Sequence, residues 1–304
     1  MNRDLTQGPV TKSMLLFALP MILGNLLQQF YNVADTLIVG QFLGATALAA
    51  VGSSYTLMTF LTSILLGLCM GSGAVFSIRF GEGDLPRLKN SLSLSFLMIA
   101  AFTVVMNLAV FLLIDPMMGL LQVPEEVYPL MRSYLWVIFW GIGGTFLYNY
   151  FACLLRAIGN SATPLLFLGV SAVLNIALDL VFVVVVPWGV AGAAFATSLS
   201  QWVSGLGLLA FTLAKMPQLR PSRQDVRWEK DRVLEIARFS LLTCVQQSVM
   251  NFGILMVQGL VNSFGTVVMA AFAAAVKIDS FAYMPVQDFG NAFSTFIAQN
   301  YGAK

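Results

Sequence analysis

Apolar runs long enough to cross a bilayer recur along this chain, and that recurrence limits the fold more than any other feature. About 20 apolar residues in a helix match the hydrocarbon thickness of a membrane. Lipid offers backbone groups no hydrogen bonds, so such runs must satisfy their own N–H and C=O groups as α-helices. The pattern predicts eight of them, at roughly 14–39, 46–77, 90–114, 130–155, 164–186, 190–214, 236–263 and 267–298. Of 304 residues, 58% are hydrophobic and 10% charged, which excludes an ordinary soluble domain. The first run is too long for a cleaved signal peptide, contains Asp35 and leads directly into another span. The expected class is an all-α polytopic membrane protein.

Basic residues give an orientation. A cytoplasmic N-terminus places 14 of the 16 Lys and Arg residues on the cytoplasmic side, with Arg132 outside and Lys277 inside a span. This is the positive-inside asymmetry of a multi-pass protein, here expected in the cell inner membrane among lipids. The net charge of +2 follows from that topology and gives no basis for nucleic-acid binding. Cys69, Cys153 and Cys244 are isolated and show no metal spacing, and the chain has no histidine. His-based catalysis and most zinc sites are thereby excluded. No enzyme activity, catalytic residue or organic cofactor is expected, and oligomeric state is not encoded in any visible pattern.

Residues 216–235 are polar, carry Pro217 and Pro221, and read as a cytoplasmic linker. This divides the chain into a six-helix N-terminal bundle, 1–215, and two helices of a second bundle, 236–304. A shift of 221 residues aligns Gly44 with Gly265, Ala49 with Ala270, Ala50 with Ala271, Phe60 with Phe281 and Gly81 with Gly302. The seventh helix carries Thr243, Gln247, Asn251, Gln258 and Asn262 on one stripe, like the first helix but without an acid. Two such units in one orientation make a parallel repeat of the kind found in secondary transporters.

The first helix places Asn25, Gln28, Gln29, Asn32, Asp35 and Thr36 within about 120° of arc. A carboxylate at membrane depth is costly unless paired or hydrated, which makes Asp35 a candidate functional residue. The fifth helix has Ser171, Asn175 and Asp179 at i, i+4 and i+8, and the sixth has Thr197, Gln201 and Ser204 on one face. Counting residues to the helix ends puts Asp35, Asp179 and Thr197 at similar depth in the outer half of the bilayer. Their oxygens, with that of Asn175, would suit a hard cation such as Na+, so these four residues are the candidate metal ligands. The two acids could hold a proton instead. The amides and hydroxyls have a second reading, as hydrogen-bond partners between packed helices. In the eighth helix Lys277, Asp279 and Asp288 lie around a bend expected at Pro285. With Gln247 and Asn251 they line a second-bundle cavity or pair structurally, two readings equally open.

The stretch FALPMILGNLLQQFYNVADTLIVGQFLGATALAAVG, the pair Asn175 and Asp179 in LNIALDLVFV, and GVAGAAFAT ending at Thr197 resemble the multidrug and toxic compound extrusion (MATE) transporters. The resemblance covers essentially the whole chain. It implies two six-helix bundles around a V-shaped cavity and an antiporter that exports organic cations or drugs in exchange for Na+ or H+. It also implies that Asp35, Asn175, Asp179 and Thr197 form the coupling site, that Pro20 is the bend of the first helix, and that Tyr134 lies near the site. Asn32, Gln28 and Gln201 share those helix faces and are further candidates for the site or cavity. Two features depart from the family. The seventh helix has no acid, and the chain has eight helices where twelve are expected, so it reads as truncated after the eighth. A lipid-linked oligosaccharide flippase of related architecture and an inert truncated protein are the alternatives. An intramembrane aspartyl protease would need Tyr-Asp and Gly-x-Gly-Asp signatures, whereas Asp35 follows Ala34 and Asp179 follows Leu178.

Overall fold

The computed structural model describes residues 5–304 apart from 121, 122, 124, 221, 223, 224 and 263–265. Within its helices the side chains of 56, 120, 254–256, 258–262 and 266–282 also lie outside the described residues. The side chains of Lys277, Asp279, Gln258, Asn262, Ala270, Ala271 and Phe281 therefore lie outside the described residues, and Gly265 lies outside them entirely.

The chain is helical throughout the described residues. It runs α1 (Val10–Leu43), α2 (Ala45–Gly81), α3 (Leu85–Leu112), the short α4 (Ile114–Leu120), α5 (Tyr128–Ile138), α6 (Ile142–Ala157), α7 (Ala162–Asp179), α8 (Gly189–Lys215), α9 (Lys230–Asn262) and α10 (Thr266–Gly302). Six helical stretches among the described residues are long and apolar enough to span a membrane: α1, α2, α3, α5 with α6, α7 with its extension, and α8.

Local chemistry sets the boundaries. Gly44 joins α1 to α2 in a single residue at φ 86°, a left-handed backbone that side chains other than glycine rarely adopt. Asp84 caps α3 by accepting the Arg87 N–H at 2.9 Å, and Asn160 Oδ1 accepts the Thr163 N–H at the start of α7. The polar segment ends earlier than its composition suggests. Helix α9 begins at Lys230, and its first turns place Glu235 against Arg79 of α2 in a two-pronged ion pair with its shortest contact at 2.6 Å. Two irregularities break predicted spans. A 3-10 turn, Phe139–Gly141, separates α5 from α6, and a π-helical segment, Leu180–Val185, follows Asp179 at once.

Helix α2 is the centre of the assembly. It packs against α1, α3, α5, α6, α9 and α10, while α8 packs against α5, α6 and α7. Its Gly67 and Gly71 form a G-x-x-x-G face that meets Cys244 and Ser240 of α9. A Cβ at Gly67 would stand 2.5 Å from the Cys244 Cα, so the backbones touch there. Ser72 and Ser240 hydroxyls pair at 3.0 Å across the same crossing. Between α2, α3 and α6, rings of Phe76, Phe96, Phe146, Tyr150 and Phe151 interlock edge to face or tilted. The Tyr150 hydroxyl reaches the Leu92 carbonyl at 2.7 Å.

Helix α7 is apolar on its outward face and polar on its inward one. Val173 and Leu166 on α7 are 71% and 69% exposed, whereas Asn175 and Asp179 on the same helix are 2% and 0% exposed. A water-soluble helix would show the reverse, so lipid is the solvent for the outer face.

Candidate functional site

Three helices bring the predicted ion ligands to one level. Asp35 lies eight residues before the end of α1 at Leu43, Asp179 six before the end of the π segment at Val185, and Thr197 eight after the start of α8 at Gly189. At a rise of about 1.5 Å per residue these positions agree to within roughly one turn. Helix α1 packs along α7, and α7 along α8, which closes the group laterally.

The carboxyls of Asp35 and Asp179 lie within electrostatic range of each other. No ion pair among the described residues involves either of them. Asn175, one turn before Asp179, donates its Nδ2 to the Thr197 Oγ1 at 3.2 Å. Asp35 Oδ1, both carboxylate oxygens of Asp179 and Asn175 Oδ1 are all buried without a hydrogen-bond donor. Four unpartnered oxygens from three residues would be costly if nothing were to bind them. A hard cation or a shared proton satisfies such a set, and the residues present therefore fit either coupling ion.

The surrounding candidates separate. Tyr134 of α5 is buried and lies within electrostatic range of both acids. Gln201 follows Thr197 by one turn of α8, and its buried Oε1 has no partner. Asn32 donates to Gln29 Oε1 on its own helix at 3.3 Å, and Gln28 is exposed beside Tyr31. Tyr31, one turn before Asp35 and within its electrostatic range, was not singled out from the sequence, although the i, i+4 spacing points to it. Pro20 lies inside α1.

The stripe of α1 serves two neighbours. Its Asp35 end faces α7, but Asn25 donates to Asp288 Oδ1 of α10 at 2.6 Å, and Gln29 reaches the Met284 sulfur at 3.5 Å. Asp288 is buried, and Pro285 lies inside α10. On α9, Gln247 is buried and accepts at its carbonyl from Asn251 Nδ2 at 2.9 Å.

Comparison with known proteins follows this geometry. The MatE family model matches residues 20–181 and 242–304. The chain is 32% identical over 98% of its length to "Probable multidrug resistance protein YpnP" of Bacillus subtilis (strain 168), covering 67% of that protein. It is 28% identical over 96% of its length to "Probable multidrug resistance protein NorM" of Thermotoga maritima, covering 64% of it. The chain thus spans about two thirds of the length of these relatives. A crystal structure of MATE in the bent conformation superposes with a TM-score of 0.91 at 24% identity, over 98% of this chain and 67% of that one.

Proposed function

Because this chain belongs to the MATE family, whose members are transporters and not enzymes, we propose that it acts in a secondary antiporter exporting organic cations or drugs. Export is exchanged for Na+ or H+ by alternating access, with the N-terminus cytoplasmic and the protein in the inner membrane. One observation carries this reading: the unpartnered, buried oxygens of Asp35, Asn175 and Asp179, gathered at one depth by α1 and α7.

The mechanism follows from differential binding. An ion can drive export only if it favours one state of the transporter over another. With the ion bound, the carboxyls of Asp35 and Asp179 are held together and α1 is drawn onto α7. Without it, two like charges out of water repel, and α1 is pushed away. Asn175 and Thr197 complete the shell for Na+, while a proton needs only the two acids. Tyr134, within range of both acids, closes the site from α5. Sodium and proton coupling therefore differ in their demand on α8.

The test is uptake of ethidium into everted vesicles, the direction that corresponds to export from the cell, with the full-length protein and with Na+ and pH gradients imposed separately. Asp35→Asn and Asp179→Asn are each expected to lower gradient-driven export at least tenfold while insertion stays normal. Wild-type export by Asp35→Asn under both gradients removes the pair from the coupling role.

A further inference from the structure

A second buried carboxylate packs against the middle of α1, and nothing in the coupling site explains it. Asp288 is 3% exposed. Its Oδ1 accepts from Asn25 of α1, but its Oδ2 is buried without a partner. Arg156, near the end of α6, acts on Asp288 electrostatically, yet the two form no ion pair within 4.0 Å. The Arg156 Nε is itself buried without an acceptor. A cavity of ≈ 70 Å³ lies beside Cys153 and Arg156 of α6, closed by Met70, Gly73 and Ala74 of α2, and reaches Asn291 of α10, one turn after Asp288. That volume has room for water. A buried carboxylate oxygen on α10 and a buried guanidinium nitrogen on α6, each lacking what the other offers, are thus left apart on two helices that touch.

We propose that Asp288 is a positioning residue that exchanges partners, Asn25 on α1 in one state and Arg156 on α6 in the other, and so relays the occupancy of the Asp35–Asp179 site to α10. The relay rests on the exporter reading given above. Helix α1 carries both ends of it, Asp35 against α7 and Asn25 against α10, ten positions apart on one unbroken helix. A shift of α1 that follows ion binding moves Asn25 away from Oδ1. The freed carboxylate then turns to the unpaired Nε of Arg156 on the neighbouring α6. Two alternative pairings of one buried charge make a bistable element, because the states between them leave that charge without a partner.

The test reads conformation and export separately. In the full-length protein with Cys69 and Cys244 replaced by Ala, Asn291→Cys is paired with the native Cys153 across the cavity. The rate of cross-linking by dibromobimane in proteoliposomes is then measured with and without the coupling ion. The ion is expected to change that rate severalfold, and Asp35→Asn, Asp288→Asn and Arg156→Gln are each expected to abolish the change. Asp288→Glu restores it in part. The double variant R156Q/D288N exports no worse than either single one, since either loss breaks the same pair. An ion response in Asp288→Asn equal to that of the parent, or additive losses in the double variant, overturns the relay. Should Asp288→Asn fail to fold, Arg156→Gln, at a partly buried position, carries the same test. Absence of export from the wild type with the ion response intact refutes the exporter reading and leaves the relay. Normal ion-driven export by Asp288→Asn with no altered response does the opposite.

Discussion

Asn175 shows how one side chain can order a site without carrying charge. Its amide nitrogen is fixed by the Thr197 hydroxyl, which leaves its oxygen buried and open beside the two acids. Replacing Thr197 by Val keeps the shape but strands the Asn175 N–H, a loss of about 1–3 kcal/mol in the orientation of the amide. Na+-driven export by Thr197→Val is therefore expected to need about tenfold more Na+ for half-maximal rate, with Thr197→Ser near wild type. A proton-driven protein would show no such shift, because the proton needs only Asp35 and Asp179. These four residues are legible in the sequence because polar atoms are rare at membrane depth, and helical spacing fixes which of them share a face. The partner of Asn25 was not legible. Asn25 sits on the same stripe as Asp35, and only the arrangement of helices decides that one faces α10 and the other α7.

At the scale of helices, contact between α2 and α9 depends on the absence of side chains. At Gly71 a Cβ would run into the Phe239 carbonyl and stand 2.5 Å from the Ser240 Cα, atoms of the backbone that cannot rotate away. Gly71→Leu is expected to cost about 3 kcal/mol or more, read as a lowered Tm in detergent and loss of monodisperse protein. Gly290→Ala, where a Cβ meets nothing within 4 Å, serves as the comparison. It should hold or raise Tm, since alanine favours the helix by about 1 kcal/mol. An unchanged Tm in Gly71→Leu means that α2 and α9 do not cross there. The G-x-x-x-G spacing of Gly67 and Gly71 is visible in the sequence, but its partner on α9 is not, because small residues recur in many spans. The π segment after Asp179 was also hidden. Leu180–Val185 is apolar and rich in β-branched residues, and apolar periodicity cannot separate a π turn from an α turn.

The molecule as a whole is ordered by its solvent: apolar side chains face outward along the spans, and charges gather at the ends. At one end Arg132 pairs with Asp115 at 2.8 Å, both about half exposed, and Arg79 pairs with Glu235 at the other. The first six of the eight expected spans, which the described residues show, could be read from hydropathy because a bilayer demands a minimum apolar length from every span. The central place of α2 could not, since all the spans are similarly apolar and hydropathy carries no information about neighbours. The orientation proposed here rests on the asymmetry of Lys and Arg alone and is open to direct measurement. Glu125 and Ser222 are both exposed and lie in connections at opposite ends of the spans. With the native cysteines replaced, Glu125→Cys should react with a membrane-impermeant maleimide in intact cells. Ser222→Cys should react only after the membrane is opened, because it lies among Lys215, Arg220, Arg227 and Lys230. The reverse pattern inverts the topology. The Asp35–Asp179 site would then sit in the cytoplasmic half of the bilayer, and its ion would be drawn from the wrong side to drive export.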